Sequence, residues 1–152
     1  MTDSYSGSEY MEAVLNPDLL IEETKNSVKE LKHLMRWGNS PGADKLEFDA
    51  IAFRGMSGAL RAPLLAIKLK KSLIMVRKSR KNNHSGRYVE GNYGAKTYII
   101  VDDLMCTGMT AKMIVRRIKE AMPDAKCVGF YTAQYGGSFR DEEGLRKRKI
   151  IK

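Results

Sequence analysis

Apolar positions recur at two different periods along this chain, and the alternation between them predicts the elements. Leu20, Thr24, Val28, Leu31 and Met35 follow one another at spacings of four, four, three and four, one face of a helix. Asn16-Pro17 ahead of them joins a capping side chain to a proline at the first helical position, and Gly38 supplies a stop. A short apolar run then predicts a strand at Phe48–Phe53, broken by Arg54-Gly55. Ala59–Leu69 reads as a helix with Pro63 near its start, where proline is tolerated. Leu73–Val76 reads as a second strand and Thr97–Val101 as a third. Ala111, Ile114, Val115, Ile118 and Met122 restore the helical period over about Thr110–Met122, and Lys126–Thr132 is the fourth strand. Met1–Asn16 reads as an irregular arm and Gly38–Lys45 as a turn-rich link. Arg77–Lys96 has no apolar period and reads as a long exposed loop, and Gly136–Lys152 as a polar, basic tail.

Strands that alternate with helices imply an α/β fold with a parallel sheet and right-handed crossovers. Ligands of such sheets bind beyond the carboxyl ends of the strands. Three loops leave from those ends here: Arg54–Gly58, Arg77–Lys96 and Asp102–Thr110. The topology alone brings them together.

The richest of the three is Tyr98-Ile-Ile-Val-Asp-Asp-Leu-Met-Cys-Thr-Gly-Met-Thr110. A buried strand delivers two adjacent carboxylates, Asp102 and Asp103, into a loop of small and hydroxyl residues that opens a helix. First-turn amides have no intrahelical acceptors, and the helix dipole favours an anion there. Gly108 permits close backbone approach, and Thr107 and Thr110 offer hydroxyls. A plain capped turn needs only one carboxylate. The segment closely resembles the signature of the type I phosphoribosyltransferases, which use 5-phosphoribosyl-1-pyrophosphate (PRPP). The resemblance implies that Met105, Cys106, Thr107, Gly108, Met109 and Thr110 hold the 5-phosphate. Asp102 and Asp103 would face the ribose hydroxyls and act in catalysis, holding Mg²⁺ directly or through water. It also implies the family fold: a parallel sheet flanked by helices with, in this chain, a minimal hood.

The same resemblance extends to the other loops. Phe53-Arg-Gly-Met-Ser-Gly58 is similar to the pyrophosphate loop after the first core strand, which maps pyrophosphate binding to Arg54, Gly55 and Met56. The strand ending in Arg77-Lys78 resembles a family strand whose terminal cations meet pyrophosphate, so both are expected in binding and catalysis. Ser79–Gly94 stands where the family has its flexible loop, with Lys81, His84 and Arg87 as candidates. Tyr131, Gln134 and Tyr135, at the end of the last strand, are the candidates for touching the base. Cys106 stands three residues after the acidic pair, where hypoxanthine-guanine enzymes carry Asp; adenine- and orotate-type enzymes have a small residue there. Gly91–Thr97 imitates a nucleotide-binding P-loop, but Ala95 replaces its second glycine and the segment enters a strand rather than a helix.

Composition narrows the partners. At 152 residues the chain reads as one domain: a helical segment over 1–48 that supplies any hood, a core over 49–132 and the tail over 133–152. Met1–Tyr10 lacks the basic start of an export signal, and no apolar run is long enough to span a bilayer. Cys106 and Cys127 read as free thiols of a reducing, cytoplasmic compartment, and His33 and His84 are too far apart to suggest a metal cluster. The net charge of +9 is unevenly spread: residues 1–48 carry five basic and nine acidic side chains, leaving 22 and nine for residues 49–152. That basic excess suits a small polyanion or nucleic acid. The expectation is therefore transfer of the phosphoribosyl group of PRPP to a nucleobase, a purine with adenine favoured, releasing pyrophosphate in nucleotide salvage, by a homodimer. The alternative is a non-catalytic PRPP- or nucleotide-sensing regulator that binds RNA through its basic surface, which Arg146-Lys147-Arg148-Lys149 keeps open. Nucleic acid is the less favoured partner.

Overall fold

The computed structural model describes residues 15–81, 84–103, 105 and 107–152, with the side chain of Tyr135 outside the description. The irregular arm expected before Asn16 lies almost wholly outside the described residues, and so does Cys106.

The chain runs α1 (Pro17–Trp37), β1 (Ala50–Phe53), α2 (Gly55–Leu69), β2 (Ser72–Val76), β3 (Val89–Gly91), β4 (Thr97–Asp102), α3 (Met109–Ala121), β5 (Lys126–Thr132), β6 (Ser138–Asp141) and α4 (Glu142–Lys147). The sheet order is β3-β2-β1-β4-β5-β6. The four central strands are parallel, while β3 and β6 pair antiparallel at the two edges. The expected parallel sheet is thus a mixed one, closed on both sides by short reversed strands.

Each central strand is apolar on both faces because helices cover both. Ala50, Ala52, Ile74, Ile100 and Phe130 pack under Ile114 and Ile118 of α3 and Leu145 of α4. Ile51, Phe53, Ile99, Val101 and Tyr131 pack under Leu31 of α1 and Leu65 of α2. α1 begins as its sequence signals: the Asn16 side chain accepts from the amides of Asp18 and Leu19, at 2.9 and 3.4 Å. Its inner face lies on the sheet rather than standing apart from it.

Three expectations change. α2 starts at Gly55, four residues earlier than its apolar period suggests, so its first turn is the Arg-Gly loop itself. The long polar stretch after β2 contains β3, whose residues pair with Ile74, Met75 and Val76. The segment read as a basic tail carries β6 and α4. Leu145 is wholly buried, and Ile150 reaches to 3.6 Å from where a Gly108 Cβ would stand. The C-terminal segment therefore backs the turn at Gly108. Leu145→Ala should cost about 2–5 kcal/mol in a urea titration; a cost near zero would return the segment to the status of a tail.

Candidate functional site

β1, β2, β4 and β5 all deliver their carboxyl ends to one edge of the sheet. The residues that follow them are Arg54–Gly58, Arg77–Lys78, Asp103–Gly108 and Ala133–Gly137. Backbone bonds hold the last two loops side by side: the amides of Ala133 and Gln134 donate to the carbonyls of Asp102 and Asp103, each at 3.0 Å.

Asp102 is 7% exposed. Its Oδ1 accepts from the Ser57 hydroxyl and from the Asp103 amide, both at 2.9 Å. Burial, with the neighbouring Asp103 charge adding to it, pushes its carboxyl up to about 6 against the opposing hydrogen bonds. Ser57 was not among the expected site residues. It belongs to a chain of contacts reaching α1: the Ser57 carbonyl accepts from Arg61 Nη1 at 3.0 Å, and Arg61 Nε donates to Glu23 Oε1 at 2.6 Å. Arg61 is 3% exposed. A buried cation between two helices thus fixes the turn that orients Asp102.

The start of α2 presents an unusual donor set. Gly55 has φ +76, a conformation that a side chain would strain, and its Cβ would meet Lys78 Cε at 3.1 Å. The lysine stem thus lies over the bare backbone of the loop. Arg54 makes no side-chain cap to the helix, and its Nε is buried without a partner among the described residues. Such an orphaned buried donor is costly unless an acceptor arrives. Met56 is exposed. At the start of α3, Gly108 has φ +81 and no side chain caps the helix from that position. The Thr107 hydroxyl accepts from the Met109 amide at 3.3 Å. Thr107 and Met109 are exposed and Thr110 half-buried. Met105 turns instead toward the core and toward a cavity beside Asp103.

The remaining candidates divide. Arg77 pairs with Glu90 of β3, Nη2 to Oε2 at 2.8 Å, so part of its charge is already engaged. Lys81, His84 and Arg87 are exposed, and the Arg87 guanidinium stands 5.8 Å from the Tyr93 ring centroid. Tyr131 does not fit the base contact expected of it. Its ring is 1% exposed under α1, where its hydroxyl donates to Glu30 at 2.8 Å. Gln134 does reach the site. With Asp103, Met105, Thr132, Ser138 and Arg140 it lines a cavity of about 270 Å³, and its Oε1 is buried with no partner among the described residues. Arg140 was hidden in the segment read as a tail.

A cation would find two carboxylates here, since no group of three or more His, Cys, Asp or Glu suited to a metal occurs among the described residues. That set fits Mg²⁺ carried in on substrate phosphates, because this ion commonly takes one or two carboxylates and completes its shell from phosphate and water. Among the described residues no helix is long and apolar enough to cross a membrane.

Comparisons with known proteins bear on the family and the fold. Residues 20–149 match the model of the phosphoribosyl transferase domain. An orotate phosphoribosyltransferase of Archaeoglobus fulgidus is 36% identical over 78 residues, which are 50% of this chain and 43% of that protein, so the match spans less than half of the relative. Adenine phosphoribosyltransferase from Saccharomyces cerevisiae superposes with a TM-score of 0.59 at 19% identity, covering 94% of this chain and 80% of that one. UMP synthase of Leishmania donovani superposes with a TM-score of 0.55 at 22% identity, covering 77% of this chain and 22% of that one. The structural likenesses carry the fold, and the domain match over most of the sequence carries the family: the chain belongs to the phosphoribosyl transferase domain family.

Proposed function

We propose that the protein transfers the phosphoribosyl group of PRPP to a nucleobase and releases pyrophosphate. The observation that carries this reading is the Asp102-Asp103 pair, Asp102 buried and Asp103 half-buried, set between the starts of α2 and α3, neither of which is capped by the side chain at its N-cap position. In the proposed reaction the anomeric carbon gains a bond to a base nitrogen and loses its bond to pyrophosphate. The sugar ring is cationic at the transition state and the leaving group anionic. Charge fixed on both sides of the breaking bond is the main lever available. Asp102 and Asp103 would support the ribose side. Arg54, the amides of Gly55 and Met56, and Lys78 would receive the pyrophosphate, with Arg77 shared with Glu90. Residues Met105–Thr110 would take the 5-phosphate, and Lys81, His84 and Arg87 would close over the leaving group. Bound Mg²⁺ would neutralise the departing pyrophosphate.

The acceptor would lie in the cavity beside Asp103. Its volume, about 270 Å³, falls just below the roughly 300 Å³ at which ligand pockets usually begin, and suits a flat base better than a nucleotide. Gln134 supports adenine: a carboxamide pairs twice with that base, accepting from its amino group and donating to a ring nitrogen. A second reading, a carboxylated pyrimidine such as orotate, is supported by Arg140 on the cavity wall. Pyrophosphate release from PRPP with Mg²⁺, measured against adenine, hypoxanthine, guanine, uracil and orotate, tests both. Adenine should turn over, and Gln134→Leu should raise its KM at least tenfold. Turnover with orotate alone would move the assignment to the second reading, and turnover with no base would defeat both.

A homodimer is part of the proposal. Leu64 and Ile67 of α2 are exposed, Ile67 by 73%, and a partner would cover them. Light scattering should give twice the 17.1 kDa chain mass at micromolar concentration; the single mass would contradict it.

A further inference from the structure

A second basic feature lies away from the acidic pair. A groove of about 850 Å³ runs between the outer flank of α3 and the C-terminal segment. It reaches Pro123–Lys126, at the opposite end of β5 from the loop that meets Asp103. Lys112, Arg116 and Lys119, spaced four and three along α3, form one wall, with Arg146, Lys149 and Lys152 on the other and Lys126 at the end. Asp124 is the one acidic residue in the lining. Glu142 is shared between Lys126 and Arg146 at 3.1 and 3.0 Å, and Glu120 holds Arg116 at 3.3 Å. Setting these three carboxylates against the seven cations leaves a surplus of four positive charges.

We infer that this groove binds the phosphate backbone of a single-stranded nucleic acid, without regard to sequence. Three observations favour a strand over a compact polyphosphate. The cations are strung along the groove rather than gathered at one point. The groove runs along the flank of α3 from Lys112 to Lys119 and on past its carboxyl end to Pro123–Lys126, where the helix dipole repels a concentrated anion. Its floor of Val115, Ile150 and Ile151 offers no cradle of backbone donors. A trough with cations on both walls accepts a flexible strand along its length, whereas a duplex lays its phosphates on a convex cylinder that meets one wall. The only aromatic residue in the lining, Tyr98, is 1% exposed. The bases therefore have no stacking platform, and recognition stays with the phosphates.

The test is fluorescence anisotropy of the whole protein with a labelled oligouridylate of about a dozen nucleotides, within the range that single-strand sites cover. Four neutralised phosphates predict that log K falls with log salt at a slope of about −3. Lys112→Gln/Arg116→Gln/Lys119→Gln should weaken binding at least tenfold and flatten that slope by about 2. Lys149→Asn/Lys152→Gln alters the opposite wall and should also weaken binding. Asn tolerates the φ of +57 at position 149. Both variants should keep the circular dichroism and the PRPP turnover of the parent. Oligocytidylate should bind within a few-fold of oligouridylate, and saturating PRPP should leave the affinity unchanged. Unchanged affinity in both variants, displacement by PRPP, or saturable binding of inorganic triphosphate without binding of the oligonucleotide would overturn the inference.

Discussion

Asp102→Asn should reduce phosphoribosyl transfer by about 100- to 1,000-fold while making the ligand-free protein more stable. Burial is the reason for the second effect. The Asp102 carboxyl is raised from 3.8 to about 6, and at roughly 1.4 kcal/mol per pH unit its ionised form costs the fold up to about 3 kcal/mol at neutral pH. The sign follows from proton binding. Below about pH 4 the carboxyl is protonated in both folded and unfolded chains, and no penalty exists. Between about 4 and 6 the folded chain holds the proton more tightly, so stability falls as pH rises. Above about 6 the whole penalty is present. An asparagine carbonyl can still accept from Ser57 and from the Asp103 amide, so the variant removes the charge and keeps the geometry. Urea denaturation should therefore show the gain at pH 8 and none at pH 4. An equal loss of stability at both pH values would show that the carboxylate is held for structure rather than against it. Turnover of the parent should rise with pH through about 6 at low PRPP, as the ionised form becomes available.

Glu23→Ala should be the most destabilising single change outside the hydrophobic core. It leaves Arg61, 3% exposed, without its carboxylate. Breaking such a pair from one side costs about 3–5 kcal/mol. The lower end applies here because the Glu23 side chain is 24% exposed. Removing both charges as Glu23→Leu/Arg61→Met should recover most of the stability, since apolar groups of similar volume replace a buried pair at little cost. Activity should separate from stability. The double variant no longer anchors the Ser57 carbonyl, so its KM for PRPP should remain raised although its unfolding midpoint returns. A Glu23→Ala cost below about 1 kcal/mol would place the pair among solvent-screened surface contacts.

The parts of this molecule that could be read in the sequence are those where one physical rule acts alone. Ile99–Val101 is apolar on both faces and can only be a central strand. The order of strand, acidic pair, glycine and helix around Asp102-Asp103 and Gly108 is also as the sequence implies, with Asp102 ending β4 and Gly108 opening α3. The parts that could not be read are those where two rules overlap. In β5, Cys127 and Phe130 face one helix layer while Val128 and Tyr131 face the other, because the ladder to β4 slips between Tyr98 and Ile99. Its position at a strand end made Tyr131 resemble a ligand residue, whereas past that irregularity it packs with Ile51 and Val101 under α1. In the C-terminal segment Phe139, Leu145, Ile150 and Ile151 supply the apolar weight, too sparsely to show a period among lysines and arginines. Ser57 gave no signal at all. Its role depends on a turn and a strand 45 residues apart meeting at one carboxylate.

The two reversed edge strands decide how copies of this chain can meet. A parallel sheet that ended in an open strand would offer a template on which a second chain could continue the ladder. Here the outer positions belong to β3, three residues long with Glu90 at its centre, and to β6, four residues long with Arg140 and Asp141. Short, charged borders of this kind resist strand-to-strand growth. The long apolar strands of the centre stay enclosed, so fibrous association is discouraged by the fold itself. Assembly through exposed helical residues such as Leu64 and Ile67 closes on itself when the same patch is used by both copies.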